Sequence, residues 1–160
     1  MDTIGFNSHD HSACRTGGLE AVVAQCREQG LNLTPVRRRV LEILLEEHRA
    51  LGAYEILDRL RAEGHGSQPP VAYRALDFLT AHGFAHKIER LNAFTACSHP
   101  GENHAPVFLI CRICNSVAEG MAEPAKGNLG RVAAETGFKI ERTVTEAEGV
   151  CPNCQRKDAA

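Results

Sequence analysis

Pro69-Pro-Val-Ala-Tyr73-Arg74-Ala-Leu-Asp77-Phe-Leu79-Thr-Ala-His82-Gly83-Phe84-Ala-His86-Lys-Ile88 is the stretch on which the fold turns. Its first half has a helical period. Ala72, Ala75, Leu76 and Leu79 recur on one stripe, and Gly83 stops the pattern. Ser67-Gln-Pro-Pro70 opens this helix, because proline is favoured in a first turn. At about 100° per residue, Tyr73, Arg74 and Asp77 fall on the opposite, polar face. The period then changes. Residues 84–89 and 93–97 read as two short strands around Leu91-Asn92. A helix that runs into a hairpin is the last part of a winged helix-turn-helix, in which that helix enters the major groove of DNA.

Working upstream, three more helical patterns precede it. Leu19, Val22, Val23 and Cys26 form a stripe that Gly30 ends. Thr34-Pro35 reads as an N-cap and first helical residue, opening a helix with Val36, Val40, Ile43 and Leu44 on one face. Ala53, Ile56, Leu57 and Leu60 form the next stripe, stopped by Gly64. The first 15 residues read as a flexible tail. Downstream, residues 98–106 are polar and rich in turn formers. After them come a strand at 107–111, a second around Val117, a helix over 124–136 and a strand over 138–145. The expected class is α+β, with an N-terminal winged helix-turn-helix and a small C-terminal α/β domain. The expected boundaries are a tail at 1–15, the winged domain at 16–91, a linker or hinge at 92–106 and the second domain at 107–160.

A chain of 160 residues and 17.4 kDa has room for one or two small domains. Its 43% hydrophobic and 24% charged residues exclude a disordered chain. No apolar run is long enough for a membrane span, and the N-terminus has neither a basic nor an apolar leader segment. The chain therefore reads as cytoplasmic. Seven cysteines in that compartment favour metal or redox chemistry over disulfides. The net charge is −2, with 11 Lys/Arg against 12 Asp/Glu in residues 1–91 and 7 against 8 in residues 92–160. That balance excludes non-specific coating of nucleic acid but permits a DNA reader whose positive charge is local.

Cys111-Arg-Ile-Cys114 and Cys151-Pro-Asn-Cys154 are two Cys-x-x-Cys knuckles. Each follows an expected strand. Two knuckles supply four sulfurs for one tetrahedral ion, leaving no open position, so the site reads as structural zinc. The competing reading is a redox dithiol, which would need only one pair. A zinc deaminase is excluded, since there is no His-x-Glu and no Pro-Cys-x-x-Cys.

A second set has mixed chemistry. His86 lies on the hairpin, Cys97 at its end, His99 and His104 in the linker, and Glu119 just past the first knuckle. One thiolate, two imidazoles and one carboxylate could hold a tetrahedral ion, and the thiolate favours zinc over harder ions. The same residues also read as a surface histidine, a core cysteine and a solvated carboxylate. Arg37-Arg38-Arg39 is the main basic run. It reads either as a DNA contact or as a solvated helix face. Arg74 stands where a recognition helix meets base edges, and arginine pairs with guanine O6 and N7. Tyr73 beside it could stack or reach a phosphate.

These segments together resemble the ferric uptake regulator superfamily, and within it the zinc uptake regulators, over residues 19–154. The most specific stretch is Pro69-Pro-Val-Ala-Tyr73-Arg74-Ala-Leu-Asp77-Phe-Leu79, similar to the recognition helix of the zinc branch. Leu33-Thr-Pro-Val-Arg37, Ala53-Tyr54-Glu-Ile-Leu, the segment from Phe108 to Val117 and Cys151-Pro-Asn-Cys154 carry the rest. The resemblance implies a homodimeric, zinc-responsive repressor of zinc-uptake genes that binds palindromic double-stranded DNA and is not an enzyme. It implies two zinc ions per chain and a C-terminal dimerisation domain. Structural zinc falls on Cys111, Cys114, Cys151 and Cys154, and regulatory zinc on His86, Cys97, His104 and Glu119. DNA contacts fall on Tyr54, Tyr73 and Arg74, with Arg37 from the basic run beside them. Val71-Ala72 stand where the family usually has Thr-Val, which removes one hydroxyl. The His-rich run of iron and peroxide sensors is absent. An iron- or manganese-responsive regulator on the same scaffold, a thiol–disulfide protein and a protein-binding zinc ribbon are the alternatives.

Overall fold

A computed structural model describes residues 5–6, 11–66, 68–102, 104–123 and 126–158, excepting the His11 side chain. They form two compact units. One comprises residues 11–102 and the other residues 104–158 together with 5–6.

The first unit holds α1 (His11–Gln29), α2 (Pro35–Leu45), α3 (Ala53–Ala62), α4 (Pro69–Ala81), β1 (Ala85–Ile88) and β2 (Ala93–Ala96). Thr34 caps α2, its Oγ1 accepting from the Arg37 amide at 3.4 Å, with Pro35 in the first turn. Gly83 ends α4 in the left-handed region at φ +72°, and the Phe84 amide donates back to Leu79 O at 2.8 Å. This closure releases the chain straight into β1. Gly64 closes α3 in the same way (φ +78°). β1 and β2 pair antiparallel with Ala85 opposite Ala96, and Asn92 turns the hairpin at φ +46°. A bridge between Leu51 and Phe94 pins the wing to the loop before α3.

The stripes read from the sequence are the core. Val22, Cys26, Val40, Ile43, Ile56, Leu60, Leu76, Leu79 and Phe84 are all buried. Each large aliphatic or aromatic side chain of this kind contributes about 1.5–3 kcal/mol on burial. Tyr54, Tyr73, Arg74 and Asp77 stand outside on α3 and α4.

The second unit holds β3 (Ala105–Cys111), β4 (Val117–Ala122), α5 (Asn128–Thr136), β5 (Thr145–Gly149) and α6 (Pro152–Asp158). Its sheet order is β4-β3-β5, with β4 antiparallel and β5 parallel to the central strand. The crossover from β4 through α5 supplies the length that a parallel pairing needs.

Several expectations are corrected. The tail does not extend to residue 15, because α1 begins at His11, ahead of the apolar stripe that marked it. The units divide between residues 102 and 104, within the span 92–106 read as a linker, of which residues 93–96 are β2 and residues 105–106 open β3. The last strand is 145–149 rather than 138–145. Phe138 and Val144, whose apolar character suggested the strand, are 68% and 45% exposed. Pairing of Gly149 with Cys111 sets the register instead, and it delivers the second knuckle beside the first. α5 begins at Asn128, so residues 126–127 of the helix expected from Pro124 are not part of it; Pro124 itself and Ser67 before α4 lie outside the described residues. Helix α6, which carries Cys154, was not expected.

Candidate metal centres and DNA-reading face

The two knuckles converge. Cys111 is the last residue of β3, and a turn through Asn115 (φ +59°) returns the chain into β4 with Cys114 on it. β5 runs beside β3 and places Cys151 next to Cys111, while the first turn of α6 brings Cys154 back toward it. The four sulfurs lie within 4.8 Å of one another, and Cys114 Sγ and Cys151 Sγ are 3.8 Å apart. Zinc–sulfur bonds of about 2.3 Å place tetrahedral sulfurs about 3.8 Å apart, so the cage fits zinc. A disulfide needs about 2.05 Å.

The electrostatics match the geometry. Burial pushes the Cys111 thiol up, but the backbone amides of Cys114, Cys151 and Ile113 outweigh it and bring it down to about 6. The Cys151 amide lies 3.3 Å from the Cys111 sulfur. The Ser116 hydroxyl, then its amide, lower Cys114. Burial and the neighbouring cysteines push Cys154 up to about 12. Four thiolates this close repel one another, and a divalent cation among them removes that cost. Cys111, Cys151 and Cys154 are buried and Cys114 is exposed.

The mixed set is built in two halves. On the wing, the Cys97 amide donates to Phe84 O at 3.0 Å, extending the ladder beyond β2. His86 pairs with Thr95, so His86 and Cys97 are diagonal neighbours on one face, with donor atoms within 4.8 Å. Cys97 is 4% exposed and the His86 Nε2 atom is buried. In the second unit, Glu119 pairs with Phe108 of β3, and His104 is the residue just before that strand. His104 Nε2 and Glu119 Oε1 are 2.9 Å apart, with both side chains only 6% exposed. Two tetrahedral ligands at bonds of about 2.0 Å are about 3.3 Å apart, so this pair also fits half of a zinc site. A buried carboxylate needs such a partner. His99 is instead next to Ser98, its Nδ1 2.9 Å from the Ser98 hydroxyl.

The basic run divides. Arg38 pairs with Glu42 at 3.0 Å, and Arg39 with Glu42, Glu46 and Glu63 at 3.2, 3.1 and 2.6 Å. The Arg37 guanidinium lies 3.9 Å over the Phe78 ring and donates to Asn32 O at 2.6 Å. These contacts bind α2 to its neighbours and cancel most of the run's charge. Arg74 is exposed and forms no ion pair among the described residues. Tyr54 and Tyr73 are 65% and 42% exposed, on the two helices of the helix-turn-helix.

Sequence reasoning missed Ser116 beside Cys114, and Gly5 and Phe6. Phe6 packs against Cys111, Cys151 and Cys154. The serine, two residues after a cysteine, was a legible signal; Phe6 carried none, being remote in sequence.

The profile of the ferric uptake regulator family matches residues 28–147. The zinc uptake regulation protein of Escherichia coli (strain K12) is 36% identical over 135 residues, 84% of this chain and 79% of that protein. A zinc uptake regulator solved in complex with zinc and DNA superposes with a TM-score of 0.85 at 34% identity, covering 91% of this chain and 98% of the other. A crystal structure of holo XcZur gives 0.78 at 40% identity, covering 88% and 98%. A winged helix-turn-helix, a four-cysteine cage and this breadth of similarity agree, and the chain belongs to the ferric uptake regulator family.

Proposed function

We propose that the chain is a zinc-responsive transcriptional repressor of zinc-uptake genes, acting as a homodimer on palindromic double-stranded DNA. The observation that carries this reading is the four-cysteine cage, whose sulfur spacing suits zinc, in a chain 36% identical to a zinc uptake regulation protein. In this reading each chain takes two zinc ions. Zinc in the cage of Cys111, Cys114, Cys151 and Cys154 would supply the cross-link that joins the β3–β4 turn to α6. His86 and Cys97, together with His104 and Glu119, form the sensing set. Its two pairs belong to different units, so loading restrains the wing relative to the C-terminal unit and fixes the two recognition helices of a dimer. A palindrome with half-sites about one helical turn apart then fits. By linkage, DNA tightens zinc by the factor that zinc tightens DNA, typically ~5–150-fold.

Tyr54, Tyr73 and Arg74 read DNA. Arg74 meets a base edge and the tyrosines meet backbone or thymine. Arg37, held on Phe78, presents the first turn of α2. Dimerisation is assigned to the second unit, which exposes Leu129, Val132, Phe138 and Val144. Such apolar surface is expected of an interface. The thiolate in the sensing set favours zinc over iron or manganese.

The test is metal counting with Cys97→Ser. Parent protein should carry two zinc ions per chain. The variant should keep one, remain dimeric and lose zinc-dependent DNA binding. An unchanged zinc response in the variant would overturn the sensing set.

A further inference from the structure

The second unit is assembled from two separate stretches of chain, because Gly5 and Phe6 belong to it. Phe6 is seated at the four-cysteine cage, and Gly5 lies beside it against β4. Gly5 adopts φ +145°, and a Cβ there would lie 2.6 Å from Ala118 Cα and from Val117 O. The backbone of β4 therefore comes directly against it, and no side chain fits. Phe6 packs on Cys111, Cys151 and Cys154 beside Val150. Asn153, a spacer residue of the second knuckle, donates from Nδ2 to Phe6 O at 3.1 Å. One side of the segment is set by a glycine that must be a glycine, the other by the knuckle itself.

We infer that Gly5 and Phe6 form a lid on the four-cysteine centre, which controls how fast its metal and its thiols exchange with solution. The inference rests on the proposal that the cage holds zinc. An incoming chelator or alkylating reagent must reach a sulfur or the ion. Phe6 packs against the buried cluster of Cys111, Cys151 and Cys154, while Cys114 is the exposed member. Exchange then proceeds through a local opening of the lid, and its rate follows the open population.

The test uses the full-length chain with Cys97→Ser, so that zinc on the cage is read alone. Gly5→Ala and Phe6→Ala are compared with Phe6→Leu. Zinc transfer to excess 4-(2-pyridylazo)resorcinol and alkylation of Cys111, Cys151 and Cys154 by iodoacetamide, resolved by peptide mass from that of the exposed Cys114, are followed in time. Gly5→Ala and Phe6→Ala should speed both reactions about tenfold, as expected for a loosened local closure. Phe6→Leu, which keeps apolar bulk, should stay near the parent and show that the fold is retained. A parent without zinc would overturn the cage reading. Zinc present in the parent, with equal rates in all variants, would overturn the lid.

Discussion

Replacing Arg74 with alanine isolates the DNA-reading step. Arg74 is exposed on α4 and forms no ion pair among the described residues, so its truncation leaves no charge behind and opens no cavity. The whole cost should fall on DNA. One bidentate arginine–guanine pair is worth about 1–3 kcal/mol. A dimer presents two recognition helices, so the loss is about 2–6 kcal/mol per complex, or at least roughly thirtyfold in affinity. Arg38→Ala is the control. Arg38 is already paired with Glu42 at 3.0 Å. Its loss should alter stability by about 0.3–0.5 kcal/mol and change base preference not at all. The assay is fluorescence anisotropy at fixed salt and saturating zinc, on a palindromic duplex and on duplexes changed one base pair at a time. Arg74→Ala should lose discrimination at one position per half-site. Equal weakening on every duplex, with a shallower salt dependence, would refute the base contact and make Arg74 a phosphate contact.

Cys111→Ser removes a cage ligand whose strand also forms the centre of the second unit. It should abolish tightly bound structural zinc and the dimer, measured by metal analysis and light scattering; a stable zinc-bound dimer would make that knuckle dispensable. Glu47→Gln probes the charge network of α2 and α3. Arg59, aided by Arg49 and opposed by burial, holds the Glu47 carboxyl below its ordinary 4.5. The folded value is depressed, so its contribution is full above about pH 4.5 and is lost as pH falls through the lower folded value. Parent and variant stabilities from urea unfolding should therefore differ at pH 7, by less than about 1 kcal/mol because the pair is partly exposed, and converge as pH falls through the depressed folded value.

How much of this was legible depends on whether the deciding physics was local. Thr34-Pro35 and Gly83 set helix ends through their own backbone preferences, and the structure has those ends where the residues indicate. The cage was legible because two Cys-x-x-Cys pairs carry their spacing in the sequence. The last strand was not. Its position is set by pairing with β3, and the apolar residues at 138 and 144 that mimicked it remain exposed. The partnership of Glu119 with His104 depends on strand register, which spacing along the chain does not contain. The basic run at 37–39 showed charge but not its neutralisation, because Glu63 comes from beyond α3.

The most direct measurement titrates free zinc, held by metal buffers, against binding of the full-length protein to a palindromic operator, with iron(II) and manganese(II) run in parallel. The account predicts that zinc alone drives specific binding while the cage stays loaded, and that Cys97→Ser abolishes the response. Specific binding that is independent of zinc, or driven equally by iron or manganese, would contradict it.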